Sequence, residues 1–537
     1  MTGVVVAVNM IAMKYEHAEN PLAESFDPDQ LITAWRNMAN EQVMFPMDMS
    51  TIPVRIDHCR QLFVDNYLIA DTEHVTRRTH EPRRHPDNPI VRSAEENIGN
   101  GIAIGFVLQF DEPPCFRMWY VSDPKHHLRE DKGDLIRYMV CYATSDDGIH
   151  WDKPNLDMYT VPGTEQRNIV LPYGTLQGLF YEPEEPDAQK RFKALICVEA
   201  RLPDRGPHTI PEGYYLHTSP DGIHWQGDLS RYKIAGLETF RRVHRGVVTY
   251  LDKKVIPYPN NGIGDSSIFW SDTIRGKYIC DVKFVLPGKL RCRGVMESDD
   301  LIHWTRPVPT FFGREGQNQI YGHTGFAYQG IYIGLRYVYV VERTEHHSNN
   351  IELDCSRDAK VWTRVAAGEP FMGFNPRHDT WDASKVRPFS ILEVGDEIWI
   401  YYGGKPTALE TQNPDLPKSH RSDNAIGLAT LKRDRFVSIQ ARDQVGMLQT
   451  RPLTFHGAHL HVNADVADGG ELKVAVVDRD GQVVSHYGAA QCDTVRGDGI
   501  DLPVTWNGGA GLGDLQGRSV GLRFELCHAD LFSFWID

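Results

Sequence analysis

The sequence predicts an all-β protein: a five-bladed β-propeller followed by a C-terminal β-sandwich, with a short N-terminal helical extension. Three observations carry this expectation. The pattern Ser-x-Asp-x-x-x-Trp is written four times, at Ser145/Asp147/Trp151, Ser219/Asp221/Trp225, Ser298/Asp300/Trp304 and Ser356/Asp358/Trp362. A fainter fifth copy runs from Thr430 to Phe436 around Asp434, and such long-period self-similarity marks a repeat architecture. Second, each interval holds three short runs rich in β-branched and aromatic residues, bounded by Gly, Pro, Asp and Asn and free of helical periodicity. Third, the boxes stop near Leu448, and tight alternation follows, as in Glu471–Val477 and Ser519–Leu526. Within each box the Ser and Asp side chains can cap their own backbone while the Trp supplies a large apolar anchor. One such turn per blade would pin each strand against its neighbour.

In chain order, residues 1–55 read as an extension. Asp27-Pro28-Asp29 opens a helix through about Met44, Asp serving as N-cap and Pro as first helical residue. Leu31, Trp35, Met38 and Gln42 share one face of it, suited to packing on its own domain or to a homo-oligomer contact. Residues 56–447 form the propeller. Gln61–Ala70 reads as a strand, and closed propellers often complete the last blade with an N-terminal strand, so it receives that role here. Five triplets of strands follow, with inner strands expected at 101–110, 178–181, 266–271, 324–328 and 389–394. Residues 448–537, with about eight short strands, form the sandwich.

With 57 basic against 72 acidic residues, the net charge of −15 speaks against nucleic acid or an anionic membrane as partner. The nine cysteines are scattered singly without a Cys-x-x-Cys pair, so no zinc site is expected. The start, Met1–Met13, lacks a basic n-region and a long apolar core. No segment approaches 18 apolar residues, and a cytoplasmic location is expected.

The blade boxes, the Trp151-Asp-Lys-Pro-Asn-Leu extension and Tyr401-Tyr-Gly-Gly before a sandwich resemble the five-bladed glycoside hydrolases, a superfamily of invertases, levanases and arabinanases. The likeness covers roughly residues 60–537. Phe63–Ile69 (Phe-Val-Asp-Asn-Tyr-Leu-Ile) is similar to the start of bacterial family-32-like proteins. The Trp-Met-Asn-Asp-Pro, Arg-Asp-Pro and Glu-Cys motifs of invertases are absent here. The resemblance implies an exo-acting glycosidase on a short oligosaccharide or glycoside, such as a fructo- or arabinofuranoside, with a carbohydrate substrate and no cofactor. Fructosyl transfer at the same site and non-catalytic sugar binding are the alternatives.

Glycoside cleavage needs one group to protonate the leaving oxygen and a carboxylate to attack or to activate water. Propeller inner strands surround a channel, so candidates are sought where those strands begin. Blade one offers Glu96, with Asn100 beside it, where the resembling enzymes place their nucleophile or base. Blade two offers Gln177 for hydroxyls, while Glu182 lies at the far end of its strand and reads as a solvated hairpin. Blade three offers Asp265 after Gly264, at the place of the family's general acid. Blade four offers His323. Blade five offers Asp382 with Trp381 beside it to stack on a sugar ring, and Arg387 beyond. The catalytic candidates are therefore Glu96, Asp265 and Asp382. The binding candidates are Asn100, Gln177, His323, Trp381 and Arg387. No metal ligand set is recognised.

Overall fold

The structure, a computed structural model, describes residues 53–92, 105–122, 138–160, 165–198, 213–227, 247–250, 253–257, 267–286, 290–305, 308–311, 318–340, 349–366, 369–373, 375, 380–406 and 424–537. The N-terminal helix lies outside them. No α-helix occurs among the described residues, and no helix there is long and apolar enough to cross a membrane.

Six short strands come first: β1 (Val54–Arg55), β2 (Gln61–Leu62), β3 (Ile69–Glu73), β4 (Thr76–Thr79), β5 (Arg83–Arg84) and β6 (Val91–Arg92). Blade one is β7 (Gly105–Gln109), β8 (Phe116–Ser122), β9 (Met139–Ser145) and β10 (Ile169–Leu171). Blade two is β11 (Thr175–Tyr181), β12 (Phe192–Val198) and β13 (Gly213–Ser219), followed by a separate hairpin of β14 (Val247–Tyr250) and β15 (Lys253–Pro257). Blade three is β16 (Ile268–Asp272), β17 (Lys277–Leu286), β18 (Leu290–Ser298) and β19 (Val308–Phe311). Blade four is β20 (Asn318–Tyr328), β21 (Ile331–Val340), β22 (Asn349–Ser356) and β23 (Trp362–Arg364), and blade five is β24 (Lys385–Val394), β25 (Glu397–Lys405) and β26 (Ala425–Lys432). Then come β27 (Val437–Ala441), β28 (Gly446–Thr450), β29 (Leu453–Thr454), β30 (Leu460–Val477), β31 (Gly497–Val504) and β32 (Gly521–Ile536).

Within each blade the strands pair antiparallel in chain order. The first strands β7, β11, β16, β20 and β24 neighbour one another in that order, and β24 returns to β7. Among the described residues they form an inner ring.

Two expectations about the ends are corrected. The strand at Gln61–Ala70 does not complete the last blade. Its two parts, β2 and β3, pair with β32 and β28 in the C-terminal sheet. Blade five is completed instead by β5 and β6, both antiparallel to β26. The C-terminal part is also built differently from a set of eight short strands. Two long strands, β30 and β32, run the length of one sheet that also takes in β2, β3, β4, β27, β28 and β31. A register shift between Val466 and Glu471 interrupts their pairing, and the sheet packs around one apolar core with Trp506, Phe524 and Phe534 fully buried. Strand pairing therefore crosses position 448 in both directions. Chain-end strands close this sheet because each would otherwise leave an unpaired edge.

The repeated box works as its residues suggest. Ser145 Oγ accepts from Gly148 N at 2.8 Å, and Asp147 Oδ1 accepts from Ile149 N and His150 N, both at 2.8 Å. The other Asp147 oxygen meets His150 Nδ1 at 2.6 Å. Asp221 and Asp300 repeat this with His224 and His303. Burial works against the Asp221 carboxylate, but the His224 hydrogen bonds outweigh it and bring its pKa down to about 2.

The residue after the Asp is left-handed in all four boxes: Gly148 (φ 75), Gly222 (φ 78), Leu301 (φ 64) and Ala359 (φ 59). Each turn then seats on the preceding blade. Tyr401 Oη of blade five donates to Gly148 O at 2.9 Å, and Trp119 Nε1 of blade one donates to Gly222 O at 2.6 Å. The fifth copy departs from the pattern. Asp434 is fully buried, accepts from Tyr328 Oη at 2.6 Å and Ser533 Oγ at 2.7 Å, and pairs with Arg60 at 3.0 Å. It ties blade five to blade four and the C-terminal sheet rather than capping its own turn.

A side chain at position 148 would put Cβ 2.7 Å from Tyr401 Oη and 2.8 Å from the Trp399 ring, in a backbone region hostile to L-residues. Gly148→Ala is expected to lower stability by about 2–4 kcal/mol, combining left-handed strain with overpacking. Ala359→Gly, in the same conformation, should be close to neutral. Equal urea midpoints for the two variants would contradict this account of the turn.

Candidate functional site

Three inner strands begin earlier than the sequence suggests, β11 at Thr175, β20 at Asn318 and β24 at Lys385. His323 and Arg387 therefore lie inside strands, not in the loops before them. Three inner strands carry a register shift near their starts, leaving Gln177, Tyr321 and Phe389 as extra residues opposite their partners. Such bulges re-aim side chains and break the ladder locally.

Blade five supplies the most developed arrangement. Asp382 is 1% exposed. Its Oδ2 accepts from Arg84 Nε at 2.9 Å and from Tyr402 Oη at 3.2 Å, while the buried Oδ1 has no hydrogen-bond partner. Burial raises the Tyr402 pKa, and the Asp382 charge adds to the rise, so the phenol stays a donor. Trp381 stacks on Tyr402 with ring centroids 5.2 Å apart, which gives one face of the indole to protein. The Tyr401-Tyr402-Gly403-Gly404 motif acquires a physical reason here. Tyr401 reaches the blade-one turn and Tyr402 holds both Trp381 and Asp382. A Cβ at Gly404 would come within 2.1 Å of the Trp381 ring.

Between blades three and four lies a buried ionic network. Arg293, fully buried, donates through Nε to Asp281 Oδ1 and through Nη1 to Tyr321 O at 3.1 Å. His323, 1% exposed, sits between two carboxylates, with Nδ1 3.3 Å from Asp281 Oδ2 and Nε2 3.6 Å from Asp354 Oδ2. Arg336 Nε donates to the same Asp354 oxygen at 2.8 Å. The His323 ring packs edge-on against Trp362, and Gly334 leaves the room it needs. His323 thus joins two blades by standing between a carboxylate of each, a fixed element beside the ring.

Between blades one and two, Tyr173 Oη lies 2.7 Å from His217 Nε2. Burial lowers the His217 pKa to about 4 and pushes Tyr173 up to about 12. At neutral pH the imidazole is therefore neutral and the phenol donates to it. Gln177, 2% exposed, donates to Thr175 Oγ1 at 3.0 Å, and its Oε1 is buried without a partner.

Glu96, Asn100 and Asp265 lie outside the described residues. Ser267, two residues after Asp265, is fully buried just before β16. Glu182 is bound in its hairpin by Lys193 and by Tyr278 Oη of blade three. Sequence reasoning missed Asp281, Arg293, Arg336 and Asp354. Their signal was present, since Cys280-Asp281-Val282 and Leu353-Asp354-Cys355 set a carboxylate among apolar neighbours in a strand. Among the described residues, no group of three His, Cys, Asp or Glu side chains is arranged to hold a metal ion.

No protein-family model matches the chain, and no curated protein matches it. Solved structures do. An N-acetylgalactosamine deacetylase from F. plautii, in complex with blood group B trisaccharide, is similar at 16% identity, covering 68% of this chain and 97% of that one, with a TM-score of 0.40. A glycoside hydrolase of the family of mannoside phosphorylases that targets β-1,2 mannosidic linkages is similar at 13% identity, covering 66% and 95%, with a TM-score of 0.40. A thermostable family-43 glycoside hydrolase is similar at 14% identity, covering 64% and 95%, with a TM-score of 0.37.

Proposed function

We propose that this chain is a carbohydrate-active enzyme that cleaves a glycosidic bond where the five inner strands begin. In this reading Asp265 is the general acid, Glu96 the nucleophile or base, and Asp382 the third carboxylate of the site. The substrate is a short oligosaccharide or glycoside attacked from one end, a fructo- or arabinofuranoside first among those to test. The kinship to family-32-like proteins belongs to the same proposal.

The observation that carries the reading is a set of buried polar atoms without protein partners at the starts of inner strands. Gln177 Oε1 and Arg387 Nη2 stand on β11 and β24, and Asp382 Oδ1 stands just ahead of β24. Buried polar groups are satisfied in nearly all native structures, so three orphans around one ring call for a polar ligand. Sugar hydroxyls supply both donors and acceptors. Arg84 and Tyr402 fix the Asp382 carboxyl group through one oxygen and leave the other available, which suits a group that must be positioned rather than mobile.

The test is a screen of chromogenic and natural furanosides and pyranosides with the wild-type protein, reading released sugar with and without added acceptor. Hydrolysis of a furanoside from its non-reducing end is the expected result. A folded protein that releases sugar from no glycoside in the panel would remove the catalytic reading and leave sugar binding.

A further inference from the structure

Arg387 differs from the other arginines near the ring. Arg84, Arg293 and Arg336 each hold a carboxylate, from Asp382, Asp281 and Asp354. Arg387 is half-buried on β24, its Nη2 is buried without a hydrogen-bond partner, and no described carboxylate pairs with it. Taking a guanidinium out of water without a counter-charge is costly, and a fold that keeps one there has a use for it.

A second cation stands beside it. Lys385 lies two residues earlier, on the same face of the strand. Its Nζ is 5.9 Å from the Tyr321 ring and 5.7 Å from the Tyr339 ring, and those two rings meet edge-on at 4.9 Å. Tyr321 is the extra residue of the β20 bulge, so the wall that receives Lys385 is built by a break in the ladder. Arg387 acts on Tyr337 of the same wall. Burial pushes that phenol up to about 12, and the guanidinium charge works against the rise.

We propose that Lys385 and Arg387 form an anion subsite, so that the saccharide bound at the ring carries an acidic group. The planar guanidinium suits paired oxygens and the ammonium adds a point charge. A uronosyl carboxylate and a phosphate ester share this chemistry. The inference rests on the glycoside reading of the ring and narrows its substrate class to acidic sugars.

The experiment is titration calorimetry on the full chain with glucuronate, glucose 6-phosphate, inorganic phosphate and glucose as probes. Wild type should bind at least one acidic probe more tightly than glucose. R387Q should bind that probe roughly ten- to a hundredfold more weakly, the loss expected for a charged hydrogen bond. R387K should fall between the two, and Lys385→Met should weaken the same probe even if R387Q fails to fold. Preference for glucuronate assigns a uronosyl group, and preference for the two phosphates assigns a phosphate. Acidic probes that bind no better than glucose, or equally well to the folded charge-removal variants, overturn the subsite. Cleavage of a neutral glycoside by a wild type that shows no preference for the acidic probes would overturn it while leaving the glycosidase reading intact. Arg387-dependent anion binding without cleavage of any glycoside would do the reverse.

Discussion

Asp265→Asn is expected to reduce kcat by about 10²–10⁴ on whichever glycoside the wild type cleaves, with KM changed only a few-fold. Asparagine keeps the size and most hydrogen bonds of aspartate but cannot deliver a titrating proton to the departing oxygen. The loss therefore falls on the transition state and not on binding. The position argues for the same role. In the sequence Asp265 follows Gly264, and blade three begins at Ile268, three residues later. Asp382→Asn provides the comparison. Its carboxyl group also holds Arg84 and Tyr402, so both activity and thermal midpoint should fall, whereas Asp265→Asn should leave the midpoint near wild type. An Asp265→Asn enzyme within tenfold of wild-type turnover would sink the assignment and move the acid role to Asp382.

The largest stability effect is expected at Asp281. Its carboxylate pairs with the fully buried Arg293 and faces His323, all between blades three and four. Removing one member of a buried ion pair leaves an uncompensated charge and typically costs about 3–5 kcal/mol. Asp281→Ala should lower the urea midpoint at constant slope, by that free energy divided by the slope. Adding Arg293→Leu should return much of it, because the stranded guanidinium is then gone. Single and double variants of equal stability would show that the pair is not coupled. The retained pair has a second consequence for the ring, since Arg293 also donates to the carbonyl of the bulge residue Tyr321. The double variant should regain stability and still misplace that wall, which weaker binding of an acidic probe would report.

The four boxes, the strand triplets and the order of the blades could be read from the sequence because each is a local property. Ser145 and Asp147 cap amides two or three residues away, and the alternation of β22 (Asn349–Ser356) is visible in its own eight residues. The same locality explains why the Tyr401-Tyr-Gly-Gly motif could be noticed but not interpreted. Its glycine answers to Trp381, and its first tyrosine to a turn more than 250 residues earlier in the chain.

What closes the molecule was decided by tertiary structure alone. Gln61–Leu62 reads as a strand wherever it pairs, and nothing in its residues selects β32 over the last blade. That choice depends on which edges remain open once all the other strands are placed. The inner ring shows the same division. Sequence placed Gln177, Asp382 and Arg387 near strand starts. Only packing settled that Asp382 is held through one oxygen by Arg84, nearly 300 residues away, and that Arg387 pairs with no carboxylate among the described residues. Charge compensation depends on distance in space, and the pattern of a single strand carries no record of it.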